Sequence, residues 1–273
     1  MSARRVGYHR RVKVVILCGG HGTRVGDPSA VRPKPLVRIG GRPILWHVMK
    51  LYAHFGWREF VLCLGYRGDL IREFFLNYDA FTSDCTVHLG PPRSVELHDP
   101  GTRDDWAVTL AETGEAAHTA ARVWRAQRFL GDGPFCVAYG DGLADVAIDE
   151  LLSFHRSHGR LATVTGVRPP GRYGNLQLAP DGAVTSFVEK SHSSTQFVNG
   201  GFFVFERGFI ERYLSDDESV DLEGEPLQRA TKDGELMLWR HERFWQHLDT
   251  ARDQALFEEL WRSGCAPWKV WGP

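Results

Sequence analysis

The residues with the plainest chemical character lie between Val14 and Lys34. An apolar run, Val14–Leu17, empties into Gly19-Gly20-His21-Gly22-Thr23-Arg24, and Lys34 follows between Pro33 and Pro35. The run has the β-branched and aliphatic character of a strand buried on both faces. Glycines after it let the backbone turn tightly, so that amide N–H groups form a nest for anionic oxygens. Arg24 adds a planar fork of donors that lysine could not reproduce, and the flanking prolines limit the backbone that aims Lys34. The pattern reads as a nucleoside triphosphate site, with Leu17, Gly19, Gly20, Gly22 and Thr23 around the nucleotide. Its structural alternative is a plain strand-to-helix turn carrying a surface arginine.

Two better-known phosphate loops fail here. The dinucleotide fingerprint G-x-G-x-x-G would start at Gly20 and Gly22 but meets Val25 where its last glycine belongs, which argues against a nicotinamide-dependent oxidoreductase. A P-loop ends in Gly-Lys-Ser/Thr, whereas Thr23 follows Gly22 directly.

The loop, taken with Arg32-Pro33-Lys34-Pro35, resembles the signature of sugar-1-phosphate nucleotidylyltransferases. The run Gly41 to Lys50, Tyr139-Gly140-Asp141-Gly142, Pro169 to Gly174 and Val198 to Phe203 resemble the glucose-1-phosphate cytidylyltransferase branch. So do Phe244 to Thr250 and the tail Ala266 to Lys269, so the similarity spans nearly everything after residue 12. The resemblance implies magnesium-dependent attack by a sugar 1-phosphate oxygen on the α-phosphorus of CTP, giving a CDP-sugar and pyrophosphate. Glucose 1-phosphate is the first candidate sugar.

Several phosphate charges must converge in such a reaction, so the site needs a metal and fixed cations rather than a protein nucleophile. Asp141 and Asp249 resemble the family's magnesium-binding aspartates, hard oxygen donors of the kind magnesium takes beside phosphates and waters. Each alone could be a turn or cap residue. Lys34 should neutralise charge on the reacting phosphates, and Arg24 should hold the departing pyrophosphate. Glu189-Lys190 resembles the pair that binds sugar hydroxyls and sugar phosphate. Asn199, before Gly200-Gly201, offers an amide beside glycines that permit close approach. Tyr139, Gly174 and Asn175 complete the expected sugar-phosphate side.

Three departures from the branch bear on specificity. The nucleotide half should contain Thr-Gly followed by Thr-Gly-Gly-Arg; the counterparts are Thr113-Gly114 and Thr119-Ala120-Ala121-Arg122, with two alanines for glycines. The added methyls point to an altered triphosphate loop and a less fixed CTP preference, against the structural alternative of a helix capped by Thr119. Arg32 stands where lysine is usual, and Asn175 where alanine is common, so another sugar 1-phosphate or another nucleotide is the nearest alternative. A non-catalytic nucleotide-sugar sensor is a second class; retention of Arg24, Lys34, Asp141 and Asp249 argues against it.

Composition bounds the rest. In 273 residues with 42% hydrophobic content the chain can bury a large α/β core. Lys plus Arg total 33 against 34 acidic residues, so no global field favours nucleic acid or an anionic membrane. Five cysteines without tight C-x-x-C pairs argue against a disulfide framework or zinc knuckle and suit a reducing cytoplasm. No apolar run approaches a bilayer span or a signal-peptide core.

The elements that must position these residues alternate in a β-α-β rhythm: Val14 to Leu17, Pro43 to Phe55, Phe60 to Leu64, Gly68 to Asn77, Ala121 to Leu130 and Phe135 to Tyr139. The expected fold is α/β, a Rossmann-like, mostly parallel sheet flanked by helices, resembling the type A nucleotidyltransferases. Its ligand crevice should lie outside the strand carboxyl ends, where Gly19 to Arg24 and Gly140 to Gly142 can meet. Leu161 to Val167, Leu176 to Leu178, Val184 to Val188, Gly201 to Phe205 and Leu236 to Trp239 should form a smaller β-rich, sugar-side lobe of the same domain. Residues 1–11 read as a basic, solvated extension and 12–273 as one domain with a helical tail. Pro91-Pro92, Asp99-Pro100-Gly101 and Ser215 to Gly224 read as exposed excursions. His155 and His158 read as surface histidines of a helix rather than a metal pair. Trp261 and Trp268 are expected to anchor the tail to the domain or to a neighbouring subunit, in keeping with the homo-oligomer that the resemblance implies.

Overall fold

Val14–Leu17 forms strand β1, with Val14 and Ile16 packed into one core and Val15 and Leu17 into a second on the opposite face. The continuous apolar run is therefore a strand covered on both sides. The computed structural model describes residues 12–20, 32–98, 104–169 and 197–272, and the backbone of residues 175–178 and 184–188.

After β1 come β2 (Arg38–Ile39), β3 (Arg42–Pro43), α1 (Ile44–His54), β4 (Glu59–Leu64), α2 (Gly68–Leu76) and α3 (Tyr78–Thr82). The chain continues through the hairpin β5 (Asp84–His88) and β6 (Ser94–His98), β7 (Ala107–Glu112), α4 (Thr119–Ala126), β8 (Phe135–Tyr139), β9 (Gly142–Ala144) and α5 (Ile148–His158). The second half holds β10 (Ala162–Val167), β11 (Asn175–Leu178), β12 (Val184–Val188), β13 (Val198–Phe205), α6 (Arg207–Tyr213) and α7 (Glu225–Lys232). It closes with β14 (Leu236–His241), β15 (Trp245–His247) and α8 (Ala251–Arg262).

Seven of the strands form one sheet in the order β14-β10-β13-β8-β1-β4-β7. Every adjacent pair is parallel except the two that β13 makes with β10 and β8. Helices α1, α2 and α5 cover one face and α4, α6 and α7 the other, each contributing its apolar stripe. The chain moves outward from β1 to β4 and β7, then returns to place β8 on the other side of β1. Such a reversal opens a crevice at the strand carboxyl ends. The Gly140 amide donates to the Leu17 carbonyl at 3.1 Å, so the loops after β8 and β1 do meet there.

Three sequence expectations change. Strands β10, β13 and β14 extend the central sheet, while β11 and β12 form a separate two-stranded pair. The segment from Ser215 to Gly224 is not a free excursion: Leu222 is fully buried, and backbone bonds tie Glu218 and Val220 to His118 and Ala120. His155 is buried rather than superficial, and it and His158 both pair with Thr163 Oγ1, at 2.8 and 2.7 Å. No cluster of three metal-ligating side chains occurs among the described residues. The tail is anchored to its own domain, with Trp268 buried and its Nε1 donating to His47 Nδ1 at 3.3 Å. No helix among the described residues is long and apolar enough to cross a membrane.

Candidate active site

A cleft of about 380 Å³ opens at the reversal, floored by Leu17, Cys18, Gly19 and Gly20 and bounded by Lys34, Tyr139 and Asp141. Its other wall is Glu115 to Thr119 with Arg122 and Asp221. No residue of the stretch Glu115 to His118 belongs to a motif, and Asp221 sits in a polar segment far along the chain. Their residue types alone carry no signal of a site.

Lys34 is placed by a single 3₁₀ turn, Lys34–Leu36, entered from Pro33 and closed by Leu36 N–H and Val37 N–H donating to Pro33 and Lys34 carbonyls. Its Nζ donates to Asp249 Oδ1 at 2.9 Å and to Asp141 Oδ2 at 3.5 Å. The two aspartates come together because β9 pairs antiparallel with β15, Gly142 opposite His247, and Leu248 N–H donates to the Asp141 carbonyl at 2.9 Å. On its far side Asp249 abuts α8, whose start is fixed by a capping box. Thr250 Oγ1 accepts from Asp253 N–H, and the Asp253 carboxylate accepts from Thr250 and Asp249 N–H. The helix cap is thus Thr250, leaving the Asp249 carboxylate to face Lys34. His247 borders the pair: its Nδ1 lies 3.7 Å from Asp141 Oδ1, and its ring packs by those of Tyr139 and Trp245.

Arg122 organises the nucleotide wall. Nη1 donates to the Leu64 carbonyl at 2.8 Å and to Thr113 Oγ1 at 3.1 Å; Nη2 donates to the Gly19 carbonyl at 3.0 Å and that of Glu115 at 3.3 Å. Its guanidinium fills the space that a Cβ on Gly19 or on Gly65 would need. Burial lowers its pKa, yet an arginine stays charged, and the four acceptors compensate its desolvation. Thr113 and Gly114 do not line the cleft. Thr113 is buried with its hydroxyl donated to Leu64, and Gly114 takes φ +93° with Arg125 packed where a side chain would be.

The alanine replacements also fall elsewhere than expected. Ala120 and Ala121 are buried in α4, with Ala120 packed in the core, and neither lines the cleft. Thr119 does not cap α4 either: the cap position is His118, with no side-chain cap bond, and Thr119 Oγ1 instead accepts from Leu222 N–H at 2.7 Å. His118 Nδ1 and Asp221 Oδ1 meet at 3.1 Å beside the cleft.

On the opposite side Tyr139 packs its ring against Gly201, which has φ +78° and no room for a Cβ. The Tyr139 hydroxyl is buried and has no hydrogen-bond partner among the described residues. Asn199 Oδ1 accepts from Gly201 N–H at 2.8 Å, and its Nδ2 donates to Glu223 Oε1 at 3.4 Å. Desolvation raises the Glu223 pKa. Asn175 opens β11, opposite Val188 of β12. Gly22, Thr23, Arg24, Gly174, Glu189 and Lys190 lie outside the described residues, as does Asp99-Pro100-Gly101.

The cleft thus lies at the strand carboxyl ends, with one ammonium between two carboxylates at its edge. The nucleotidyl transferase family model matches residues 13–260. The chain belongs to that family. It is 44% identical to glucose-1-phosphate cytidylyltransferase of Salmonella typhimurium over 261 residues, covering 95% of this chain and all of that one. Identity to the mannose-1-phosphate guanylyltransferase catalytic subunit beta of Danio rerio is 27%, over 89% of this chain and 62% of that one. Among solved structures, HddC from Yersinia pseudotuberculosis shares the fold, with a TM-score of 0.65 and 24% identity over 92% of this chain and 99% of that one. The floor of the cleft includes Gly19 and Gly20 after β1, and Asp141 and Asp249 flank the paired strands β9 and β15.

Proposed function

We propose that this chain transfers the cytidylyl group of CTP to α-D-glucose 1-phosphate, giving CDP-glucose and pyrophosphate. One observation carries the reaction class: Lys34 and the carboxylates of Asp141 and Asp249 converge beside the glycine-floored cleft. The choice of CTP and glucose 1-phosphate follows the relative matched over its entire length.

A phosphate oxygen of the sugar attacks the α-phosphorus in line; the new P–O bond forms as the bond to the bridging α–β oxygen breaks, and pyrophosphate leaves. Amides of Gly19 and Gly20 cradle phosphate oxygens, and Lys34 meets the charge that develops on them. Arg24 serves the departing pyrophosphate. Glu115 to His118 form the nucleotide wall that Arg122 holds in place, so Arg122 and Thr113 act through positioning. Tyr139, Asn199, Glu189 and Lys190 belong to the sugar-phosphate side, and the buried Tyr139 hydroxyl, which has no hydrogen-bond partner among the described residues, supports that assignment.

Magnesium fits the donor set. Asp141 and Asp249 present hard carboxylate oxygens on either side of Lys34 Nζ, and these two residues would hold the ion. When bound, the ion supplies charge stabilisation and orients the phosphates. The exposed apolar side chains of the β5–β6 hairpin, Val87, Leu89 and Val95, support a homo-oligomer.

The test is pyrophosphate release with CTP, UTP, GTP, ATP and dTTP, each crossed with several sugar 1-phosphates, with products identified by mass and magnesium omitted in parallel. Release confined to CTP with glucose 1-phosphate and requiring magnesium is the expected result. Turnover with a different pair would overturn the specificity, and tight nucleotide binding without turnover on any sugar would favour a sensor.

A further inference from the structure

We infer that Lys34 and the divalent cation are alternative occupants of the space between Asp141 and Asp249, so that the cation enters this site together with the nucleotide. The inference rests on the metal-dependent reading above and adds what the lysine does before phosphate arrives. The Lys34 ammonium lies 2.9 Å from one carboxylate and 3.5 Å from the other. Its side chain is 13% exposed, against 25% for Asp141 and 26% for Asp249, so the cation lies deeper than the groups it joins. Its backbone is fixed by the 3₁₀ turn and by Pro33 and Pro35, leaving the side chain's own rotation as the way to move.

The charge count then sets the order of events. Two carboxylates in one site repel each other, and one ammonium cancels half of that charge while bridging both. A divalent ion arriving alone would share a partly enclosed site with Lys34 and, at 3.7 Å from Asp141, with His247. The remaining charge would be positive and the ammonium would lose its partners. A triphosphate changes the count, because its oxygens accept the displaced ammonium and complete the coordination of the ion. Lys34 is accordingly an internal counter-ion that keeps the two aspartates in register and lowers the affinity of the free protein for metal.

Manganese stands in as the probe, since its binding is read directly by electron paramagnetic resonance on the full chain. Wild type, Lys34→Met and Lys34→Gln are titrated with Mn²⁺ alone and with α,β-methylene-CTP, after thermal melts show which variants are folded. Expected is at least tenfold tighter Mn²⁺ binding by Lys34→Met than by wild type without nucleotide, a gain that Asp249→Asn removes. Wild type should gain at least tenfold on adding the analogue, and the two proteins should then differ less. Equal or weaker Mn²⁺ binding by a folded Lys34→Met or Lys34→Gln protein overturns the inference while leaving the metal assignment standing. Absence of Mn²⁺ binding to any of these proteins, even with the analogue, overturns both.

Discussion

The guanidinium of Arg122 rests against the α-carbon of Gly19 and donates to its carbonyl at 3.0 Å, so the first residue of the phosphate loop is held by a helix on the far wall of the cleft. Gly19→Ala should force these two apart. Overpacking of this kind costs about 1–3 kcal/mol and displaces the loop, and we expect at least a tenfold fall in kcat/KM. Arg122→Lys removes the fork that reaches four acceptors and should lower stability by about 2–4 kcal/mol. Thermal melts and initial-rate kinetics on both variants check this; an unchanged melting point for Arg122→Lys would remove its positioning role.

The metal-facing pair makes a contrasting prediction. Asp141→Asn keeps the backbone carbonyl that accepts from Leu248 N–H and leaves Asp249 as a partner for Lys34. Stability should change by less than about 1 kcal/mol, since the lost charge is partly exposed and makes the longer of the two contacts with Lys34, while turnover falls by roughly two orders of magnitude. Full turnover in the folded variant would take Asp141 out of the reaction.

Much of this arrangement was legible in the sequence because it is local. Val14–Leu17 is a strand residue for residue, since a run buried on both faces has no other regular use. Lys34, Asp141 and Asp249 were identified from their flanking motifs, and their convergence is observed in the folded chain. What escaped depends on long-range contact. Ser215 to Gly224 is polar enough to pass for a surface loop, yet Leu222 packs in the core and bonds Thr119 across 103 residues. Ala120 and Ala121 looked like cleft residues because the motif around them is; the helix turns their methyls inward. The short strands after residue 160 gave no sign of which would join the central sheet, since β13 enters it antiparallel between β8 and β10.

Anchoring of the tail gives a third prediction. Trp268 is 1% exposed and packs on Phe244, Phe257 and His47. Trp268→Ala should cost about 3–5 kcal/mol by leaving a cavity beside α1 and α8. Because only the cap residue Thr250 separates Asp249 from α8, the loss should also raise the magnesium concentration needed for half-maximal rate. Denaturant unfolding and a magnesium titration of the rate separate the two effects. A stability loss with an unchanged magnesium requirement would show that the capping box alone fixes Asp249.

Two buried histidines should set the acid limit of stability. Burial lowers the pKa of His47 and of His155 to about 4 from an ordinary 6.5. For His47 the hydrogen bonds agree with the neutral form: Nδ1 accepts from the Trp268 indole, so Nε2 carries the proton given to the Ile39 carbonyl. Adding a proton at Nδ1 would set it against the indole N–H. His155 faces Thr163, His158 and, at 3.5 Å, Glu206, with Arg156 opposing its charge. Between pH 4 and 6.5 the unfolded chain binds protons that the folded chain refuses, so unfolding becomes easier as pH falls. The contribution is complete above pH 6.5 and is lost as pH drops toward 4, on the order of 3 kcal/mol per histidine. Melting temperatures recorded from pH 7.5 to 4.5 should fall across that window, and His155→Gln should flatten part of the slope. A slope that His155→Gln leaves unchanged would mean that the acid sensitivity lies with other groups.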